Sequence, residues 1–152
     1  MAQAYVERGM SAPQIVQLLN LKPHPEGGYY RETFRDERVD ANGRAVSSLI
    51  YFLLDTGDVS AWHRVDAAEV WHWYAGAPLV ITVSPNGHDA QSVYLGADFT
   101  SGHVPQFVVP ANYWQTATSL GAWTLVGCTV APAFEFAGFE LAPDDWRPTP
   151  RG

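Results

Sequence analysis

Two titratable side chains, His63 and Glu69, carry the densest chemistry in this chain. They lie in the stretch Gly57–Gly76, GDVSAWHRVDAAEVWHWYAG, with the spacing Gly-x5-His-x-Val-x3-Glu-x6-Gly. On a strand, residues two apart share a face, so His63 and Val65 point the same way. A turn at Asp66-Ala67-Ala68 then starts a second strand at Glu69. Pairing of those two strands would set His63 beside Glu69 across the ladder. An imidazole next to a carboxylate serves one of two chemistries. The pair can hold a divalent cation. Or the carboxylate can fix the tautomer of the imidazole and raise its pKa for acid–base work. His72 stands three residues beyond Glu69, so a regular strand turns it to the opposite face and only a bulge brings it back. Cys128 lies in the apolar run Leu125–Val130 without a basic neighbour and reads as packing. His24 and Glu26 read as loop chemistry. Gly27 and Gly28 supply backbone geometry at a strand start, which is no phosphate cradle.

The elements that must position these groups are mostly strands. One helix is predicted over 12–20, with Ser11 as cap, Pro13 in the first turn and Ile15, Val16, Leu18 and Leu19 as its apolar stripe. Residues 1–10 read as a short tail with some helical character. Pro25-Glu26-Gly27-Gly28 is a turn, and Asp40-Ala41-Asn42-Gly43 is a hairpin signal. Strands are expected at 29–35, 46–54, 60–65, 69–74, 78–84, 90–95, 105–109, 112–118 and 122–130. Short strands at intervals of roughly 8–12 residues indicate a sandwich or barrel. The stretch from Pro143 onward is expected along the surface.

Composition sets the bounds. The chain has 152 residues, enough for a single core of ordinary size, and 47 % of them are hydrophobic. Nine Lys and Arg against 16 Asp and Glu give a net charge of −7, with no basic run, which argues against nucleic acid as a partner. No apolar run approaches the ~20 residues of a membrane span, and no secretory leader pattern is legible at the start. The lone cysteine fits a reducing, cytoplasmic setting. Six Trp, seven Tyr and seven Phe suit half-buried pleated surfaces or an aromatic-lined cavity.

The spacing around His63 and Glu69 resembles the first signature of the cupin superfamily, G-x5-H-x-H-x3-E-x6-G, with Val65 in place of the second His. Pro110-Ala111-Asn112-Tyr113-Trp114-Gln115 resembles the second, P-x-G-x2-H, with Asn112 for the Gly and Gln115 for the His. With the stretches 24–33, 48–51 and 69–76, the chain is similar to the fifth cupin family, a branch long labelled a domain of unknown function. The resemblance implies an all-β fold: a double-stranded β-helix (jelly-roll barrel) over about 27–140, with a short N-terminal helix, as one domain. It implies a small-molecule pocket at the barrel mouth. The inward candidates are His63, Glu69, Trp71 and Trp73 from the first signature and Tyr113 and Gln115 from the second. Arg31 and Thr33 come from the strand opened by the glycine turn, with Arg31 as an anchor for a carboxylate or phosphate. It also implies a homodimer, paired through the outer face of one sheet, with the strand 29–38 crossing to the neighbour.

A complete metal cupin places three His and one Glu on one ion. Here Val65 cannot ligate, so any ion rests on His63, Glu69, Gln115 and, through a bulge, His72, a set that holds a divalent metal weakly. The expectation is therefore no resident cofactor. Three functions stay open. One is a metal-independent epimerase or isomerase, with His63 as base, Glu69 orienting it and Tyr113 or Tyr30 returning the proton. The others are a non-catalytic binding or sensing module and a metal-dependent cupin enzyme.

Overall fold

The computed structural model describes residues 9–151. The residues of the expected N-terminal tail before position 9 lie outside it. The apolar alternation of the sequence becomes two antiparallel sheets. One joins, in spatial order, β1 (Lys22–Pro23), β2 (Tyr29–Arg35), β3 (Ser48–Asp55), β10 (Trp123–Ala131), β5 (Ala68–Gly76) and β8 (Gln106–Val109). The other joins β11 (Phe139–Leu141), β4 (Val59–Val65), β9 (Trp114–Ser119), β6 (Leu79–Ser84) and β7 (Gln91–Leu95). Phe52, Leu54, Trp71, Val109, Val126 and Cys128 face Leu79, Ile81, Val83, Leu95 and Ala117 in one shared core. Each strand turns its alternate apolar residues to one face, and two sheets packed face to face bury both of those faces, which is why this pattern folds as a sandwich.

The helix α1 (Ala12–Leu18) starts at a capping box. The Ser11 hydroxyl accepts from the Gln14 amide at 3.3 Å, and the Gln14 side chain accepts from the Ser11 amide at 2.8 Å. Ala12 and Ile15 pack on Leu53, Ala75 and Trp123, on the outer face of the six-stranded sheet.

Two local features depart from expectation. First, β4 and β5 do not pair. The corner at Asp66-Ala67 sends them to different sheets, where β4 pairs with β9 and β11, and β5 with β10 and β8. Arg44 holds that corner with two hydrogen bonds to the Asp66 carboxylate, at 3.0 and 2.8 Å, while the Asp66 amide donates to the Gly138 carbonyl. Second, β2 sits between β1 and β3 of its own sheet, so residues 29–35 are hydrogen-bonded within the chain. From Pro143 onward the chain runs over the outside of the five-stranded sheet, with Trp146 against Trp62 and Trp114. Among the described residues no helix is long and apolar enough to cross a membrane.

Candidate functional site

A cavity of about 450 Å³ opens at one end of the sandwich. Its position follows from the turn between β1 and β2. The His24 amide donates to the Gly28 carbonyl and the Gly27 amide to the His24 carbonyl, closing a tight loop. The Ala61 amide then donates to the Glu26 carbonyl at 2.7 Å, docking that loop onto β4. The docking is close. Gly27, at φ +109°, sits against the Val59 carbonyl where any side chain would collide, and Gly28 has φ +74°. Only glycine combines this conformation with this approach. The result drives the Glu26 side chain inward, to 8 % exposure.

Glu26 is the hub of the floor. Ser60, fully buried, donates a hydroxyl hydrogen bond to Glu26 Oε2. His63 Nε2 lies 3.6 Å from Glu26 Oε1. The other ring nitrogen of His63 is 2.7 Å from the Ala61 carbonyl oxygen. A carbonyl only accepts, so Nδ1 carries the proton and Nε2 presents a lone pair towards Glu26. His24 is set the opposite way. Its Nδ1 accepts the Glu26 backbone N–H at 3.0 Å. That nitrogen is bare, so its 3.4 Å approach to Glu26 Oε1 is no ion pair. Burial, with the field of His63, pushes the His24 pKa down to about 4, and burial lowers that of His63 as well.

Glu69, on β5 of the six-stranded sheet, lines the same cavity as Glu26 and makes no hydrogen bond to it; only a repulsion of like charge acts between them. Trp71 donates its indole N–H to Gln115 Oε1 at 3.0 Å, and Gln115 Nε2 donates to Glu69 Oε1 at 2.9 Å. The indole only donates, so it fixes which end of the amide points at Glu69. The Cys128 thiol also hydrogen-bonds to Glu69, and its pKa is raised well above the usual value, chiefly by burial. Desolvation raises the Glu26 pKa to about 8, against the Ser60 hydrogen bond. Desolvation and the Glu26 charge raise that of Glu69 to about 7, against His63 and Gln115. Two carboxyls that titrate near neutrality thus meet in one cavity. Tyr30, Ser48, Ile50, Val65 and Val130 form its walls, and Lys22, Glu32, Arg35, Phe134, Glu135 and Phe136 also line it.

A family model described as "Cupin superfamily (DUF985)" matches residues 13–142. The chain belongs to this cupin family. Protein SO0799 from Shewanella oneidensis has a solved structure that matches with a TM-score of 0.83 and 39 % identity, over 88 % of this chain and 85 % of that one. A hypothetical protein from Leishmania major matches at 0.79 and 30 % identity, over 88 % of each chain. The uncharacterized protein YML079W of Saccharomyces cerevisiae is 27 % identical over 83 % of this chain and 72 % of its own length. Oxalate decarboxylase of Bacillus subtilis shares the fold, with a TM-score of 0.60 and 13 % identity over 78 % of this chain and 29 % of that one.

Placing the expected residues in this cupin separates them into groups. His63 and Glu69 stand on opposite sheets and not side by side in a ladder; the charge of each acts on the other, and no hydrogen bond or ion pair joins them. His63 is 1 % exposed and stands behind Glu26, so it is a layer removed from the cavity. Gln115 and Trp71 support Glu69. Trp73 and Tyr113 pack against the core cluster, with the Trp73 indole donating to the Ala77 carbonyl. Arg31 is outside the cavity. Its guanidinium donates to the Leu19 carbonyl at the end of α1, because β2 alternation points it to the outer face. Thr33 occupies a bulge in β2 and donates to the Leu49 carbonyl. The cavity lining instead draws Tyr30, Glu32 and Arg35 from that strand.

The donors of a metal cupin do not fit here. Val65 is a wall of the cavity. The side-chain oxygen of Gln115 accepts the Trp71 indole N–H. His72 turns outward, with Nε2 3.2 Å from the Thr129 hydroxyl. Among the described residues no group of three or more His, Cys, Asp or Glu is disposed to hold an ion.

Proposed function

We propose that this small-molecule-binding cupin catalyses proton transfer of the epimerase or isomerase type on a small polar substrate, using the Glu26–Glu69 pair. The observation that carries the reading is the pair itself: two buried carboxyls, with pKa values of about 8 and about 7, on one cavity. Between those values the pair holds about one proton, so it offers an acid and a base at once. The ionised carboxyl takes the proton from a carbon next to a carbonyl, and the electron pair moves onto the carbonyl oxygen. The acid then returns a proton to the carbon, with the Tyr30 hydroxyl as the second candidate donor on the wall. In this reading His63 is a positioning residue and proton partner of Glu26. Its bare Nε2 faces Oε1, so a neutral imidazole backs the carboxyl and presents an acceptor to its protonated form. Glu69 is held by Gln115 and does not orient His63.

The test is deuterium wash-in from D₂O at the carbon next to the carbonyl, across a panel of aldoses, ketoses and keto-sugars. Exchange by the wild type, lost in Glu26→Gln and Glu69→Gln, supports the reading. A compound that binds without exchange makes the protein a binding or sensing module instead.

Two further parts of the reading concern the setting. A homodimer through the outer face of the six-stranded sheet is supported by exposed Tyr74 and Val108 there. Light scattering at one chain per particle would refute it. A cytoplasmic, reducing location rests on the buried, unpaired Cys128.

A further inference from the structure

We infer that the substrate carries an anionic group, a phosphate or a carboxylate, and that Lys22 at the cavity mouth receives it. This rests on the cavity being the substrate site proposed above. Lys22 belongs to β1, a strand only two residues long, whose pairing with β2 puts it opposite Tyr30. Its ammonium lies over the Tyr30 ring, 5.3 Å from the centroid, and this cation–π contact holds it at the lining of the cavity.

The other charges of the mouth have ion-pair partners, Glu135 sharing Arg44 with Asp66. Arg35 donates Nε and Nη2 to the two oxygens of Glu32, at 2.9 Å each, and a third bond to the Phe134 carbonyl at 2.7 Å. Glu135 lies 3.5 Å from Arg44. Among the described residues Lys22 has no carboxylate within ion-pair distance. Of the cations that line the cavity, Lys22 and Arg35, only Lys22 is left without a carboxylate. The floor keeps about one negative charge near neutral pH, because Glu26 and Glu69 share a proton, but those carboxyls are buried while Lys22 stands exposed at the mouth. The preference for an anion is therefore local to the Lys22 ammonium and does not come from the net charge of the cavity.

Size and wall chemistry narrow the rest of the molecule. A volume of about 450 Å³ admits one ring with its anionic substituent. The lining presents aromatic faces, with His24 4.6 Å from Tyr30 and Phe134 5.0 Å from Phe136 between ring centroids. Hydroxyl and carboxyl groups stand beside them at Ser48, Glu26 and Glu69. Aromatic faces beside polar groups match a polyol ring, which has apolar C–H faces and hydroxyl edges.

Three probes of one shape test this: glucose 6-phosphate, glucuronate and glucose, each followed by thermal shift and calorimetry at low salt and at high salt. The expected result is binding of at least one anionic probe and not of glucose, weakened about tenfold or more in Lys22→Gln, retained in Lys22→Arg, and weakened by salt. Preference for the phosphate or the carboxylate decides which anion is meant. Equal binding of glucose, an unchanged affinity in Lys22→Gln, or no response to either anion would overturn the inference. The deuterium assay fails separately. Anion binding through Lys22 without exchange leaves this inference standing and removes the catalytic one. Exchange on a neutral keto-sugar, unaffected by Lys22→Gln, does the reverse.

Discussion

Glu26 owes its chemistry to one loss and one gain. Desolvation removes the preference for the charged form, and the Ser60 hydroxyl restores part of it. Replacing it by Gln keeps the shape and removes the proton site. Turnover of any exchanging substrate is expected to fall by about 10²-fold or more in Glu26→Gln. The wild-type rate should peak between pH 7 and 8, where one of the two carboxyls is ionised and the other is not. A profile rising steadily to pH 10 would contradict this. Gln115 gives a structural counterpart. Gln115→Leu leaves a buried indole N–H and a buried carboxyl without their partner, at about 1–3 kcal/mol each. Urea unfolding should show a loss of roughly 2–5 kcal/mol, larger than the same change at an apolar core site of equal size. The sequence made Glu69, His63 and Gln115 legible, because they stand at signature positions. It hid Glu26, since a Pro-Glu-Gly-Gly turn looks like solvent-exposed loop. What buries Glu26 is its docking on Ala61, a contact 35 residues away in the chain that no local pattern encodes. The adjacent pair Gly27-Gly28 was the available signal, since two successive glycines mark a backbone that must pass very close to something.

At the scale of elements, the same turn yields a paired prediction. Gly27 and Gly43 both have positive φ, +109° and +81°. At Gly43 nothing lies within 4 Å of an added Cβ, whereas at Gly27 the Cβ would run into the Val59 carbonyl. Gly43→Ala should therefore cost about 1 kcal/mol of stability and leave ligand binding unchanged. Gly27→Ala should cost more, and also lose binding, because the loop must move away from β4 and take Glu26 with it. Equal effects of the two changes on binding would show that the turn does not place the site. Most strands were readable from alternation, since every one from β2 to β10 lies within a few residues of its expected span. Two strands were missed, β1 and β11, at two and three residues too short to show a period. The pairing of β4 was misread for a different reason. A two-residue connection looks the same whether it closes a hairpin or turns a corner between sheets. The corner depends on Arg44 and on Gly138, which are distant in sequence.

For the whole molecule, the buried groups predict how stability depends on pH, and they pull in different directions. Glu26 and Glu69 have pKa values raised from 4.5 to about 8 and about 7, so the folded state holds more protons than the unfolded one across that interval. Stability must fall as pH rises through it. His24 is lowered from 6.5 to about 4, so there the unfolded state holds more protons, and stability rises with pH over 4 to 6.5. Asp66, held low by Arg44, adds stability that disappears only in strong acid, as pH falls below the ordinary carboxylate range. From about 4.5 to 6.5 the carboxyl and histidine effects oppose each other. Above 6.5 the His24 contribution is complete and only the two carboxyls still titrate, so the curve must bend downward. The expected loss between pH 6.5 and 8.5 is on the order of 2 kcal/mol, read as a falling urea midpoint at constant m. Glu26→Gln should remove the larger share of that fall, and the double variant with Glu69→Gln nearly all of it. A wild-type midpoint that is flat from pH 6.5 to 8.5 would mean that the two carboxyls ionise as freely in the folded chain as in the unfolded one. The acid–base pair on which the proposed chemistry rests would then not exist.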